Sequence, residues 1–285
     1  MSTMISFSNA MNRMTMDQVK EACPYVSKRT PTNPGVSGKY TVANTEDVIN
    51  DLAKFGWYPV EAKQCRTKKG SKGIRSFHMV AFQNPNVSIV KNDGSEEVEC
   101  YPRIILTNSH DGFNSFKFMM GLYRCICSNG LVVCDAEFSA FSIRHINYNF
   151  EELRKSVEKV VATVPGIINK RDTMNKTELT EEQKREMAIE TYRIRKHLAS
   201  EVKLTLDDAT INDLLYPARK EDEGNSLWKV FNVLQEKMIK GGFSATGKNG
   251  KARKQRPISS VKKDADYNQQ LWALAEKYMP ATVAA

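Results

Sequence analysis

Apolar residues recur at steps of three and four in the second half of the chain, which is the period of an amphipathic helix. The clearest case is residues 227–240, where Phe231 and Leu234 share one face and Gly241-Gly242 follow as an end signal. The same period predicts further helices over residues 150–164, 178–203, 205–215 and 265–279. We expect the first of these to end at Pro165-Gly166. In the first half, only residues 17–23 and 46–55 are predicted to be helical.

Between residues 57 and 147 the chain changes to segments rich in Val, Ile, Phe, Tyr and Thr, which are typical of β-strands. The predicted strands are residues 57–66, 74–83, 87–91, 97–108, 114–128 and 137–147. Asn92-Asp93-Gly94 and Ser128-Asn129-Gly130 are typical of hairpin turns. The predicted fold class is therefore α+β, with an antiparallel β-rich N-terminal half packed against a helical C-terminal half that carries a long basic loop.

Three regions follow from this pattern. Residues 1–44 are rich in Met, Ser, Asn and Thr and contain several Pro and Gly, so we expect an irregular N-terminal arm. Residues 45–150 form the antiparallel β-rich core, and residues 151–285 form the helical region with the basic loop at 237–263. A chain of 285 residues can bury a large core, and we expect the three regions to fold as one cooperative domain.

The formal net charge of +9 is concentrated in two segments. Residues 237–263 contain nine basic residues and no Asp or Glu, and residues 61–75 contain six basic residues against Glu61 alone. In the rest of the chain, acidic residues outnumber basic ones. Such segregation favours a polyanionic partner. The alternative is that these lysine-rich loops are merely soluble and mobile.

We interpret the two basic segments as loops that neutralise phosphates, with nearby aromatic side chains that stack on exposed bases. Because no helix-turn-helix or zinc-finger pattern offers a recognition helix, single-stranded DNA is favoured over duplex, and RNA stays an open alternative. Phe77 and His78 follow the first basic segment, although Phe77 also suits a core position. The predicted contact residues are Lys63, Arg66, Lys68, Lys69, Lys72, Arg75, Phe77, His78, Lys248, Lys251, Arg253, Lys254, Arg256, Lys262 and Lys263.

Enzyme chemistry is the competing interpretation. His110-Asp111-Gly112 after a predicted strand could supply a general base, but no GxSxG, HExxH or P-loop pattern accompanies it, and Asp-Gly is ordinary turn chemistry. We therefore predict no enzymatic activity. A zinc site can be drawn from Cys125, Cys127, Cys134 and His145. Its spacing matches no common zinc motif, so we predict reduced, buried cysteines and no cofactor.

Two stretches resemble a known family. The first is residues 105–133, ILTNSHDGFNSFKFMMGLYRCICSNGLVV, followed by Ile143-Arg144-His145. The second comprises Leu227-Trp228, Asn232, Gln235-Glu236, Gly241-Gly242, the basic cluster at 253–256, and Asn268 with LWALAE at 271–276. Together these residues, over roughly positions 55 to 280, are similar to the phage- and plasmid-borne family known as domain of unknown function 932. More loosely, size and charge resemble the single-stranded-DNA-binding transcription regulators of podoviruses.

The resemblance implies a protein of a virus or mobile element but no activity. We therefore expect a phage nucleic-acid-binding protein without strong sequence specificity that acts in viral transcription, replication or recombination. We expect it to act in the cytoplasm of the infected or host bacterium, as a homo-oligomer and not on a membrane. A phage RNA polymerase is a further candidate partner. The second hypothesis is a protein-interaction factor that binds a polymerase or a host defence protein; the charged helix at 178–203 and the acidic Glu221, Asp222 and Glu223 favour it.

Overall fold

The computed structural model describes residues 12–38, 40–65, 76–90, 97–124, 130–133, 141–143, 150–246 and 251–280, without side-chain detail for 130–133, 141–143, 261, 262 and 265. The chain divides into two compact units, Met1–Val164 and Pro165–Ala285. The first unit holds an antiparallel sheet and the second is mainly helical, so the predicted α+β class is confirmed. Among the described helices, none combines the length and the apolar composition needed to cross a bilayer.

The helices and strands follow the sequence closely. The helices are α1 (Met16–Ala22), α2 (Thr45–Lys54), α3 (Phe150–Ala162), α4 (Val164–Lys176), α5 (Glu181–Lys196), α6 (Asp208–Leu215), α7 (Leu227–Lys240) and α8 (Val261–Glu276). The strands are β1 (Tyr58–Gln64), β2 (His78–Gln83), β3 (Ile89–Val90), β4 (Val98–Asn108), β5 (Phe116–Arg124), β6 (Gly130–Val133), β7 (Phe141–Ile143), β8 (Ser244–Thr246) and β9 (Ala252–Lys254).

Side-chain caps explain where several helices begin. Thr15 and Thr180 each form a capping box with the Gln three residues later, and Asn44 accepts a hydrogen bond from the backbone N–H of Asp47. Ser226 caps α7 in the same way, by accepting from Lys229 N. Each such cap satisfies a backbone N–H that the helix itself leaves unpaired, which typically stabilises the helix by about 1 kcal/mol.

The sheet of the first unit has the strand order β1-β2-β4-β5-β6, and β3 and β7 pair with β4 and β5 respectively. Every pairing is antiparallel. One face of the sheet is apolar and fully buried: Val80, Phe82, Ile104, Leu106, Phe116 and Phe118 are all 0% exposed. α1 and α2 lie against β1, and α3 lies against β5, so the apolar residues of these helices complete the core of this unit.

Aromatic side chains build the core of the second unit. Trp228 stacks on Phe231 with ring centroids 5.8 Å apart, and Phe231 meets Trp272 edge to face at 5.8 Å. Both Trp side chains are buried, and the Trp272 indole N–H donates to Glu276 at 2.7 Å. These contacts join α7 to α8. Both tryptophans therefore belong to the core of this unit.

Three elements differ from the sequence-based expectation. β6 lies between two of the predicted strands and in neither of them. α3 ends at Ala162, before Pro165-Gly166, and these two residues lie in the first turn of α4, which runs from Val164 to Lys176. Proline is tolerated in the first turn of a helix, where its missing N–H has no partner in any case. The basic loop at 237–263 contains a short hairpin, in which Ser244 pairs with Lys254 and Thr246 with Ala252.

Candidate nucleic-acid interface

The structure describes about half of the predicted contact residues. The side chains of Lys63, Phe77, His78, Lys251, Arg253, Lys254, Arg256 and Lys263 are described. Arg66, Lys68, Lys69, Lys72, Arg75 and Lys248 lie outside the described residues, and the side chain of Lys262 is not described. The five described contact residues of the second basic segment are all exposed.

The β8–β9 hairpin presents its basic residues on one strand. All three residues of β9 are exposed, including Arg253 and Lys254, whereas Ala245 of β8 is buried. Among the described pairings, β9 pairs only with β8, so its other edge is open. Lys251 precedes β9 and Arg256 follows it, and both are exposed. We call Lys196, Lys251, Arg253, Lys254 and Arg256 the basic hairpin surface.

The base of the hairpin is fixed by close backbone contacts at the end of α7. Gly242 N donates to Gln255 O at 2.9 Å, and Gln255 N donates to Phe243 O at 2.8 Å. Gly241 has a φ of +66°, and a Cβ atom there would lie 2.5 Å from Gln255 O. Only glycine therefore fits at Gly241, in conformation as well as in space.

The C-terminal end of α5 adds two cations to the hairpin. The Arg195 guanidinium donates to the backbone oxygens of Met238 and Arg256, which ties α5 to the end of α7 and to the hairpin base. Lys196 Nζ donates to Gln255 Oε1 at 2.8 Å. Partial burial, followed by the charge of Arg195, lowers the pKa of Lys196. A bound anion would therefore stabilise this ammonium group.

The two sides of the hairpin carry opposite charge. On the β8 side, Ser244 N donates to Asp213 Oδ2 at 2.8 Å and the Thr246 hydroxyl donates to Asp207 Oδ2. Both carboxylates belong to α6 or its N-cap. On the β9 side the described charged residues of the hairpin are basic. Lys237 Nζ also donates to Asp213 Oδ1 at 3.2 Å and offsets part of the negative charge, so a phosphate chain is favoured on the β9 side over the β8 side.

Lys263 is exposed in the first turn of α8. A cation at this end of a helix faces the positive end of the helix dipole, which costs about 0.3–1 kcal/mol at an exposed position. No basic residue occupies the last turn, where it would stabilise the helix. The placement of Lys263 therefore works against helix stability, and Asp264 in the same turn offsets part of this cost.

In the first unit, a row of paired residues across the sheet carries one lysine on β1 and one on β5, and continues from Lys117 to Ser142 on β7. Lys63 pairs with Met79, Met79 with Thr107, and Thr107 with Lys117. Directly paired residues point to the same face of a sheet, so the two exposed lysines share a face. Three strand spacings separate their backbones by about 14 Å. The ammonium group of Lys63 also forms an ion pair with the carboxylate of Glu61. The sequence analysis did not identify Lys117.

His78 does not belong to an interface, and its predicted contact with nucleic acid is incompatible with the structure. The ring is 0% exposed. Its Nδ1 lies 2.7 Å from Ser76 O, which can only accept, so Nδ1 carries the proton and Nε2 accepts from the Thr45 hydroxyl at 2.8 Å. Burial is the main cause that lowers the pKa of His78 to about 4. The sequence pattern missed this because Thr45 lies 33 residues away. Phe77 is half-buried, and its contact stays a prediction.

The His110-Asp111-Gly112 tripeptide belongs to the same buried network. Asp111 Oδ1 accepts from the Ser109 hydroxyl at 2.7 Å and from Phe113 N at 3.0 Å, and Oδ2 accepts from Ser76 N at 3.2 Å. His110 is 0% exposed, and its backbone N–H donates to Ser76 Oγ at 2.7 Å. These contacts hold the ends of β2 and β4 together. The geometry is that of a structural cluster.

Among the described residues, no group of three His, Cys, Asp or Glu side chains is placed to hold a metal ion. The four residues considered for a zinc site, Cys125, Cys127, Cys134 and His145, lie outside the described part of the chain. The described cysteines, Cys23, Cys65 and Cys100, are not in disulfides, and burial raises the pKa of the Cys23 thiol to about 12. A thiol with such a pKa is a poor nucleophile.

Residues 35–272 match the family described as Domain of unknown function (DUF932). Two relatives from Escherichia coli strain K12, UPF0380 protein YafZ and UPF0380 protein YfjQ, are each 28% identical to this chain over 242 residues. Each alignment covers 84% of this chain and 82% of the relative. No solved structure matches the chain.

Proposed function

This chain belongs to the DUF932 family, as the resemblance in its sequence indicated, and we propose that it binds single-stranded nucleic acid through the basic hairpin surface. The observation that carries the proposal is the one-sided charge of the β8–β9 hairpin. Its open strand presents Arg253 and Lys254 to solvent, while the opposite side is bonded to carboxylates. A phosphodiester chain fits this arrangement because it offers a continuous row of anions.

The hairpin is also held in place before any ligand binds. Gly241, Arg195 and the Gln255 backbone fix its base to the ends of α5 and α7. A rigid basic strand loses little conformational entropy on binding, so more of the electrostatic attraction remains as affinity. The contacts would be to phosphates, which carry no sequence information, and we expect binding without strong sequence specificity.

Single-stranded DNA is the proposed ligand, and RNA is the alternative that the same experiment distinguishes. α7 and α8 do not form the helix-turn-helix of a duplex reader, because they are joined through the hairpin and not by a short turn. The setting in phage transcription, replication or recombination stays a prediction, as do the homo-oligomer and the phage RNA polymerase as a partner.

The test is a binding titration at several salt concentrations with labelled single-stranded DNA, duplex DNA and RNA of equal length. Replacing Lys251, Arg253, Lys254 and Arg256 by Ala should weaken binding to all sequences alike. It should also reduce the slope of log K against log salt by up to about 0.7 for each phosphate that is no longer neutralised. If the affinity of the wild-type protein does not depend on salt, the proposal is wrong.

A matched control separates the location of the charge from its amount. Replacing four exposed lysines elsewhere, namely Lys155, Lys159, Lys203 and Lys220, removes the same charge from other surfaces. This variant should keep most of the affinity and most of the salt slope. Equal weakening in the two variants would show that net charge alone attracts the ligand.

A protein-interaction factor is the second candidate, and a pocket in the second unit favours it. The pocket has a volume of about 240 Å³ and combines apolar Leu215, Val230 and Val233 with polar Lys184 and Asp222. Tyr216, next to Leu215, is 69% exposed. In a pull-down from a host lysate, a host protein that this chain retains after nuclease treatment, and that a Tyr216→Ala variant does not retain, would support this function.

We propose no catalytic role for His110 and Asp111, because both are buried in a network of backbone hydrogen bonds. Catalysis needs a reacting group that a substrate can touch. A hydrolytic activity that disappears on conservative His110→Gln substitution, in a variant that stays folded, would contradict this assignment.

A further inference from the structure

The loop between β4 and β5 is held by an unusual number of hydrogen bonds for a surface connection. Asp111 accepts from three donors, the Ser109 hydroxyl, Phe113 N and Ser76 N. Backbone oxygens of the loop accept from the N-terminal segment: His110 O accepts from Thr32 N at 2.7 Å. Asp111 is only 2% exposed. Loop residues 108–111 are therefore as buried as the sheet itself.

This rigid loop presents an exposed aromatic ring. Phe113 is 72% exposed, the largest exposure among the large apolar side chains that the structure describes. Its backbone N–H is bonded to Asp111, so the position of the Phe113 Cα atom is fixed by the buried network. Gly112 has a φ of +77°, and a Cβ atom there would lie 2.6 Å from Val36 Cγ1. The chain can thus pass Val36 and turn outward only with glycine at this position.

An isolated exposed apolar residue needs no explanation in itself. Here, however, the protein buries a carboxylate and several polar groups to fix the backbone beside it, and burial of polar groups is costly unless each is hydrogen-bonded. A rigid aromatic side chain on a fixed loop is well suited to contact a ligand, because little entropy is lost when the ligand binds.

The surrounding charges indicate which ligand. The loop joins β5 at Phe116, and the next residue, Lys117, is exposed and belongs to the row of paired residues that reaches Lys63 on β1. Phe113 and these lysines therefore lie at the same end of the sheet. Any base can stack on an exposed aromatic ring, so stacking does not depend on the nucleotide sequence, and the neighbouring phosphates can form ion pairs with cations.

We infer that Phe113 is a base-stacking residue that contacts an unpaired base of a single-stranded nucleic acid, with Lys117 and Lys63 near the adjoining phosphates. The inference rests on the proposed function and adds a second contact to it, in the first unit. A base is the ligand that the neighbouring lysines favour. An apolar pocket of a protein partner is the competing ligand, and a comparison of two oligomers separates the two.

The experiment compares two ligands of equal length, oligothymidylate and an abasic deoxyribose-phosphate oligomer. Phe113→Ala should weaken binding of oligothymidylate by about 5- to 100-fold, which corresponds to the stacking of one base, and should leave the abasic oligomer unaffected. Its salt slope should equal that of the wild-type protein because no cation is removed. Tyr216→Ala, which removes an equally exposed aromatic ring from the other unit, should bind both ligands like the wild-type protein.

A second variant gives a signal that does not depend on weakened binding. In Phe113→Trp, the indole fluorescence should be quenched by oligothymidylate and not by the abasic oligomer. If Phe113→Ala binds oligothymidylate like the wild-type protein, or loses equal affinity for both ligands, the inference is overturned while the proposed function stands. If the wild-type protein binds neither ligand, the proposed function fails, and the inference fails with it.

Discussion

Replacement of Gly241 by Ala should destabilise the second unit strongly, because Gly241 combines two constraints. Its φ of +66° and ψ of −135° lie in a region that residues with a Cβ atom rarely adopt, which costs about 1–3 kcal/mol. The added Cβ would also lie 2.5 Å from Gln255 O and 2.8 Å from Arg256 C. Backbone atoms of the hairpin base would have to move, and such overpacking typically costs about 1–3 kcal/mol more.

Gly242→Ala is the matched control for this prediction. Gly242 is the next residue, with a φ of +84°, but a Cβ atom there would have no neighbour within 4 Å. It should therefore cost only the conformational term, about 1–2 kcal/mol. The difference between the two variants isolates the close approach between the end of α7 and the hairpin.

The assay is equilibrium unfolding in urea, followed by tryptophan fluorescence, since Trp228 and Trp272 both lie in the core of this unit. Gly241→Ala should lower the free energy of unfolding by about 1–3 kcal/mol more than Gly242→Ala does. It should also weaken binding of single-stranded DNA, because the basic hairpin surface is displaced. Equal destabilisation by the two substitutions would refute the reasoning.

Two further predictions concern buried polar groups. Burial lowers the pKa of His78 to about 4, so the unfolded state binds a proton first as the pH falls. The free energy of unfolding should therefore decrease by about 3 kcal/mol between about pH 6.5 and pH 4, and a His78→Gln variant should lose this part of the pH dependence in urea titrations. Arg219 donates two hydrogen bonds to Glu236, at 2.6 and 2.7 Å. Arg219→Ala should lower the free energy of unfolding by about 3 kcal/mol, because Glu236 stays mostly buried without this partner. Lys240→Ala removes a more exposed partner of Glu236 and should lower it by less than about 1 kcal/mol. Thermal unfolding of the two variants measures the difference.

Local signals in the sequence were sufficient to predict most helices and strands. The caps at Asn44 and Ser226 and the glycines after α7 mark helix ends through contacts within a few residues. The succession of β-rich segments and turns identified the antiparallel sheet. The pair Asn249-Gly250 in the basic loop is typical of a hairpin turn, but the sequence analysis interpreted this segment only by its basic residues.

The candidate site was less predictable because its geometry depends on contacts between distant residues. Lys196 reaches Gln255 across 59 positions of the chain, and His78 reaches Thr45 across 33. No local pattern distinguishes a histidine that faces a ligand from one that is buried behind a threonine. The exposure of Phe113 likewise depends on Ser76 and Thr32, which come from other parts of the chain.

The hydrogen bond from Thr32 N to His110 O has a consequence for how this chain can be shortened. The family match begins at residue 35, yet Val19, Cys23 and Val26, upstream of it, are 0% exposed. A fragment trimmed to the matched region would expose the apolar surface that these residues cover and would leave the β4–β5 loop without one of its supports. The segment matched by the family is therefore shorter than the segment that packs together in this chain, and a fragment of this chain should begin before α1.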